Sequence, residues 1–122
     1  MTTKQEMNQP PAFKLLVLGD AKKFLDNLPE KARKKVEYNI RKIQMGEKDY
    51  ELFKKLENSP IWEFRTTYDK KTYRLFAFWD TKEEAFVIVT HGIIKKTQKT
   101  PQKEIIKAQE IMKVYNELKY KK

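Results

Sequence analysis

IWEFRTTYDKKTYRLFAFWDTKEEAFVIVTH, residues 61–91, decides the fold. Residues 61–68 alternate, with Trp62, Phe64 and Tyr68 on one side and Glu63 and Arg65 on the other. That period of two is the mark of a half-buried strand. Asp69-Lys70-Lys71 read as a turn. Residues 72–79, TYRLFAFW, are apolar almost throughout, as suits a central strand covered on both faces. Asp80 to Glu83 make the next turn, and residues 84–91, EAFVIVTH, a third strand.

Upstream, residues 12–18 (AFKLLVL) form a short apolar run closed by Gly19 and Asp20, read as one more buried strand. Asp20 suits the cap of a first helix with Ala21, Phe24, Leu25 and Leu28 on its apolar face. Pro29 stops it and opens a second helix, whose Ala32, Val36, Ile40 and Ile43 recur at helical spacing. Arg33, Lys34, Lys35, Arg41 and Lys42 take its other face, and Gly46 ends it. Residues 47–60 connect, with Leu52, Phe53 and Leu56 giving a partly helical look. After the strands, Thr100 suits a cap and Pro101 the first position of a last helix over 101–118. Its buried stripe would be Ile105, Ala108, Met112, Tyr115 and Leu118. The order β-α-α-β-β-β-α predicts one α+β domain over 12–122, with helices packed on one antiparallel sheet. Residues 1–11, MTTKQEMNQPP, read as a mobile N-terminal arm without the apolar run of a secretory signal.

Charge narrows the partners. Lys plus Arg less Asp plus Glu is 27 − 17 = +10, which points to nucleic acid, an anionic surface or an acidic protein. No window approaches the roughly 18 apolar residues of a membrane span. The absence of cysteine removes disulfides and thiolate zinc sites and agrees with a cytoplasmic protein. Ser59 is the single serine and His91 the single histidine, so neither a Ser-His-Asp arrangement nor a histidine-based metal site is supported. Asp80, Glu83 and Glu84 sit at a turn and read as solvated. The three glycines form no phosphate-cradling loop. No cofactor is expected.

What remains is metal-free chemistry on RNA, which carries its own nucleophile in the 2′-hydroxyl. Such an enzyme must orient that hydroxyl, take its proton, stabilise the phosphate and protonate the leaving oxygen. Arginine and lysine match the developing charge; histidine, or a lysine among other cations, can carry the proton. Arg74 lies inside an apolar strand, where a charge is costly unless it serves a purpose. It either faces phosphate or pairs with Glu63 or Glu84 across strands. Arg65 shares Glu63's face and is either a phosphate contact or a solvated residue. His91 ends a strand beside the lysine-dense run HGIIKKTQKTP, residues 91–101, which holds Lys95, Lys96 and Lys99 and is followed by Lys103. Lys54, Lys55, Lys99 and Lys103 are candidates for RNA binding. Trp62, Phe76, Phe78 and Trp79 can stack on bases or fill the core.

WEFR (62–65), YRLF (73–76), HGIIKKTQKTP (91–101) and EIIKAQEIM (104–112) together resemble the HigB/RelE-type toxins of type II toxin–antitoxin modules. Residues 54–112 are most similar to the phage-derived HigB-like branch, and residues 24–46 resemble the family's helical hairpin more loosely. The resemblance implies a small α+β fold, with a helical hairpin and a C-terminal helix packed on a curved antiparallel sheet, and an endoribonuclease (mRNA interferase) that cuts mRNA without metal, commonly on the ribosome. It also implies a cognate helix-turn-helix antitoxin, through which alone DNA would be bound, and no membrane partner. By position, Arg74 would stabilise the scissile phosphate, Arg65 would take a cationic strand position, and Lys95 or Lys96 the basic position after the last strand. Glu63 stands where the RelE pattern would favour lysine, and the C-terminal tyrosine has no clear counterpart. His91, Lys95 and Lys96 therefore compete as general base. Two other readings stay open: a non-catalytic basic module of this fold that binds RNA or an acidic partner, and a phage accessory protein that binds a neighbouring gene's product.

Overall fold

The structure, a computed structural model, describes residues 12–83, 85–95 and 99–120. The expected arm over 1–11, Glu84 and Lys96 lie outside them. In chain order the elements are β1 (Lys14–Val17), α1 (Gly19–Asp26), α2 (Glu30–Gln44), β2 (Phe53–Lys55), β3 (Trp62–Tyr68), β4 (Lys71–Trp79), β5 (Phe86–Lys95) and α3 (Gln102–Tyr120). The strands form one sheet in the order β1-β5-β4-β3-β2. The α+β class stands. The sheet is mixed, because β1 adds to β5 in parallel while the other pairs are antiparallel.

Each sheet face carries its own core. On one, α1, α2 and the link between them lay Ala21, Leu28, Ala32, Val36, Ile40 and Ile43 against Phe64, Leu75, Ala77, Val87 and Val89. On the other, Ile105 and Ala108 of α3 pack with Phe76, Phe78 and Ile88. This double cover is why β4 is apolar almost throughout. Gly92 lets α1 come close to β5: a Cβ there would stand 2.7 Å from two atoms of the Phe24 ring.

Four local expectations change. β2 replaces part of the expected connection, since Phe53 stacks on Phe64 at 4.2 Å and on Trp62 at 4.7 Å. Three residues are too few to show a period, so it escapes pattern reading. The third expected strand runs on past His91 to Lys95. Asp20 lies inside α1, whose cap is Leu18, with no side-chain cap bond. Leu118 is 82 % exposed, because the stripe Ile105, Ala108, Met112, Tyr115 continues on the sheet side at Lys119.

Lys119 belongs to an anchor for the end of α3. The Asp80 carboxylate is buried, not solvated as expected of a turn residue. It accepts hydrogen bonds from the hydroxyls of Tyr115 and Tyr120 and from Lys119 Nζ, while its other oxygen takes the backbone N–H of Lys82 and Glu83. Burial alone would raise the pKa of this carboxyl. The bonds from Tyr120, Tyr115, Lys82 and Lys119 outweigh it and hold the group far below the ordinary carboxylate range.

Candidate functional site

The site is read from strand register. β2, β3, β4 and β5 place Lys54, Glu63, Phe76 and His91 in one row across the α3 face of the sheet. The next row holds Arg65, Arg74 and Ile93, and the one after it Thr67, Thr72 and Lys95. A bulge makes this alignment. Phe76 pairs with His91 but Ala77 with Val89, so Thr90 is the extra residue. One added residue shifts side-chain parity, and it brings His91, Ile93 and Lys95 onto the face that carries Arg74. Lys55 pairs with Trp62 and so belongs to the opposite face.

Glu63 is the hub. Its side chain is fully buried. Arg65 donates to Oε1 from Nε at 3.2 Å and from Nη2 at 3.0 Å. Arg74 Nη1 donates to Oε2 at 3.4 Å, and Thr100 donates its hydroxyl proton to the same oxygen at 2.7 Å. Thr100 Oγ1 in turn accepts from Arg74 Nη1 at 2.8 Å. Thr100, expected as a helix cap, thus ties the segment before α3 to β3 and β4. Arg74 is 1 % exposed, so its pairing with Glu63 is realised in this state. Burial lowers its pKa, Glu63 opposes that, and Arg65 adds to the lowering. Arg65 keeps 19 % of its side chain open, where that of Arg74 is 1 % open.

His91 is buried against the Phe76 ring, 4.9 Å between centroids. Nε2 lies 3.1 Å from Glu104 Oε1, and Nδ1 lies 2.8 Å from Thr90 Oγ1. Burial pushes its pKa below 6.5; Lys107 adds to the effect and Glu104 opposes it. A neutral ring fits one arrangement: Nε2–H donates to the carboxylate and Nδ1 accepts from the Thr90 hydroxyl. His91 therefore joins the first turn of α3 to the sheet. Lys95 is half-buried at the end of β5, Lys54 is half-buried in the Glu63 row, and Lys99 and Lys103 are exposed around the start of α3. Lys96 falls outside the described residues. Phe76 and Phe78 are core, whereas Trp62 and Trp79 stay partly open on the opposite face.

The structure thus gathers Arg65, Arg74, His91, Lys95 and Lys54 on one sheet face. It adds Glu63, Thr90, Thr100 and Glu104, which pattern reading did not assign to the site. Glu63 alternates with Arg65 and was legible as its neighbour. Thr100 is 37 residues from Glu63 and carries no local signal of its contact. Among the described residues no group of three His, Asp or Glu side chains stands where it could hold a metal ion. No helix among them is long and apolar enough to cross a membrane. The family model for Phage derived protein Gp49-like (DUF891) matches residues 23–113 and so spans every residue of this site. No curated protein matches the chain.

Proposed function

The chain belongs to the phage-derived Gp49-like family, a family associated with the toxins of toxin–antitoxin systems, and we propose that it is the toxin of a type II module. In this reading it is an endoribonuclease that cuts mRNA on the ribosome without metal and is neutralised by a cognate helix-turn-helix antitoxin. One observation carries the reading. Arg65 and Arg74 stand opposite each other in register, and both reach the carboxylate of Glu63. Two guanidiniums converge on this carboxylate, with Lys95 one row away. Preorganised donors of this kind act on charge that develops at a phosphate.

The steps follow from the chemistry of RNA. Arg65 meets the scissile phosphate first, and Arg74, held by Glu63 and Thr100, stabilises the charge behind it. The RNA 2′-hydroxyl attacks the adjacent phosphorus and the 5′-oxygen leaves, giving a 2′,3′-cyclic phosphate. Lys95 and Lys96 are the groups proposed to exchange protons with these oxygens. His91, closed in by Glu104 and Thr90, is assigned the task of fixing the start of α3 against the site.

Induced expression, followed by primer-extension mapping of mRNA ends, tests the reading. New ends, growth arrest and loss of cleavage when the attacking 2′-hydroxyl is replaced by hydrogen are the expected results. A folded, well-expressed chain that arrests nothing and produces no new ends overturns it in favour of a non-catalytic binding module.

A further inference from the structure

The basic side of α2 takes no part in the site, which lies across the sheet from it. Its layout is more ordered than a solvated charge run requires. Tyr38 is 59 % exposed at the centre of that side. The positions three, four and seven residues before it are Lys35, Lys34 and Lys31; those three and four after it are Arg41 and Lys42. All are neighbours along one helix face. The two acids of the helix, Glu30 and Glu37, are not among them. Lys35 Nζ lies 5.4 Å from the Tyr38 ring centre and Lys42 Nζ 5.7 Å, so the ring gathers two ammonium groups.

This arrangement has a cost. Lys31 repels Lys34 and Lys35, and like charges at these spacings destabilise a helix. Among the described residues Lys31, Lys35 and Arg41 form no ion pair; Lys34 pairs with Glu30 and Lys42 with Glu47 at the surface. Such exposed pairs are weak and readily exchanged. Ala32, Val36, Ile40 and Ile43 fix the opposite side of α2 in the core, so the stripe is rigid.

We propose that this stripe is a second RNA-binding surface, one that takes the backbone of double-helical RNA. The surface rests on the reading of the chain as an RNA-directed toxin and extends it. A convex helix with one aromatic ring offers no groove and no succession of stacking platforms, which single strands require. Double-stranded RNA is recognised through phosphates and shape without splayed bases. From Lys31 to Lys42 the helix rises about 16 Å, enough to follow several phosphates. The sheet separates the stripe from Arg65 and Arg74, so the strand to be cut and the duplex held by α2 are different segments of RNA. A substrate presented on an RNA-rich particle would meet both surfaces at once.

The test uses the full chain with Arg65→Ala, a 16-base-pair RNA duplex and fluorescence anisotropy across a salt series. Lys31→Gln, Lys35→Gln, Arg41→Gln and Lys42→Gln together should lower the slope of log affinity against log salt by about 3, at about 0.7–0.9 per phosphate contact. Tyr38→Ala should weaken binding and Tyr38→Phe should not. A control removes the same charge elsewhere, with Lys70, Lys71, Lys107 and Lys113 changed to Gln, and should keep the wild-type slope. An unchanged slope in the stripe variant, or an equal fall in the control, overturns the proposal. So does a stripe that leaves duplex RNA unaffected but is needed for an acidic peptide or anionic vesicles. Equal competition by the matched DNA duplex overturns the assignment to RNA. Binding is read without cleavage, so if the duplex binds through α2 while the chain with Arg65 intact cuts no mRNA, the nuclease reading alone is refuted.

Discussion

Arg65 and Arg74 face each other across β3 and β4, and both reach the same carboxylate, that of Glu63. Two like charges in adjacent strands repel. The buried glutamate makes their pairing tolerable, and its removal should therefore be costly. Breaking a buried ion pair by deleting one partner costs about 3–5 kcal/mol. Glu63→Ala should lower the melting temperature by on the order of 15 °C, using the entropy scale of a domain of this size. Thermal unfolding followed by circular dichroism measures it, and a shift of only a degree or two would mean that Glu63 is not the hub of the cluster.

The two arginines should separate function from stability. Arg74→Ala leaves Glu63 buried with less counter-charge and should destabilise the fold as well as abolish cleavage. Arg65 is partly open, and without it Glu63 still has Arg74 and Thr100. Arg65→Ala should keep most of the stability yet lower mRNA cleavage by about 10²–10³, the scale for losing one preorganised donor. Cleavage rate and melting temperature measured on the same preparations decide the matter. Full activity in folded Arg65→Ala would remove this residue from the proposed phosphate site.

Asp80 offers a prediction far from the chemistry. Its carboxylate gathers Tyr115, Tyr120 and Lys119 from the last turns of α3. Asp80→Ala should cost about 2–3 kcal/mol, the range for losing hydrogen bonds to a buried charged group. The loss should be local at first, so hydrogen exchange should speed up in the second half of α3 before it does in β4. Uniform exchange across α3 and β4 would show that Asp80 does not anchor the helix end.

The sequence carried the sheet because β3 alternates and β4 is apolar on both faces, patterns that strands alone produce. It carried the hairpin helices because Ala32, Val36, Ile40 and Ile43 keep a helical period. What it could not carry depends on register. The side of β5 on which His91 falls turns on one bulged residue, Thr90, and parity across a bulge has no marker in a run such as VIVTHG. The same holds for Glu63 with Thr100 and for Asp80 with Tyr120, contacts made only once α3 has docked. The cations of the candidate site were readable as residue types. Their mutual distances, and the burial of Arg74, were not.

His91 makes the stability of the fold depend on pH. The folded state lowers its pKa below 6.5, chiefly through burial. Between the two pKa values the unfolded chain therefore binds a proton that the folded chain does not, so stability rises with pH through that window. The contribution is complete above the unfolded value and is lost as the pH falls from about 6.5 toward the folded value. Melting temperature should accordingly decline on acidification from pH 7.5 to 5.5, before the carboxylates titrate. In His91→Gln the decline over the same range should largely vanish, whatever the absolute stability of that variant. The protonated ring would also make Nδ1 a donor and turn the Thr90 hydroxyl toward the Phe76 carbonyl, 3.2 Å away. An NMR titration of the His91 ring should then show the proton entering below pH 6.5; a midpoint above that value would reverse the sign of the stability slope and refute the neutral, Glu104-bound histidine.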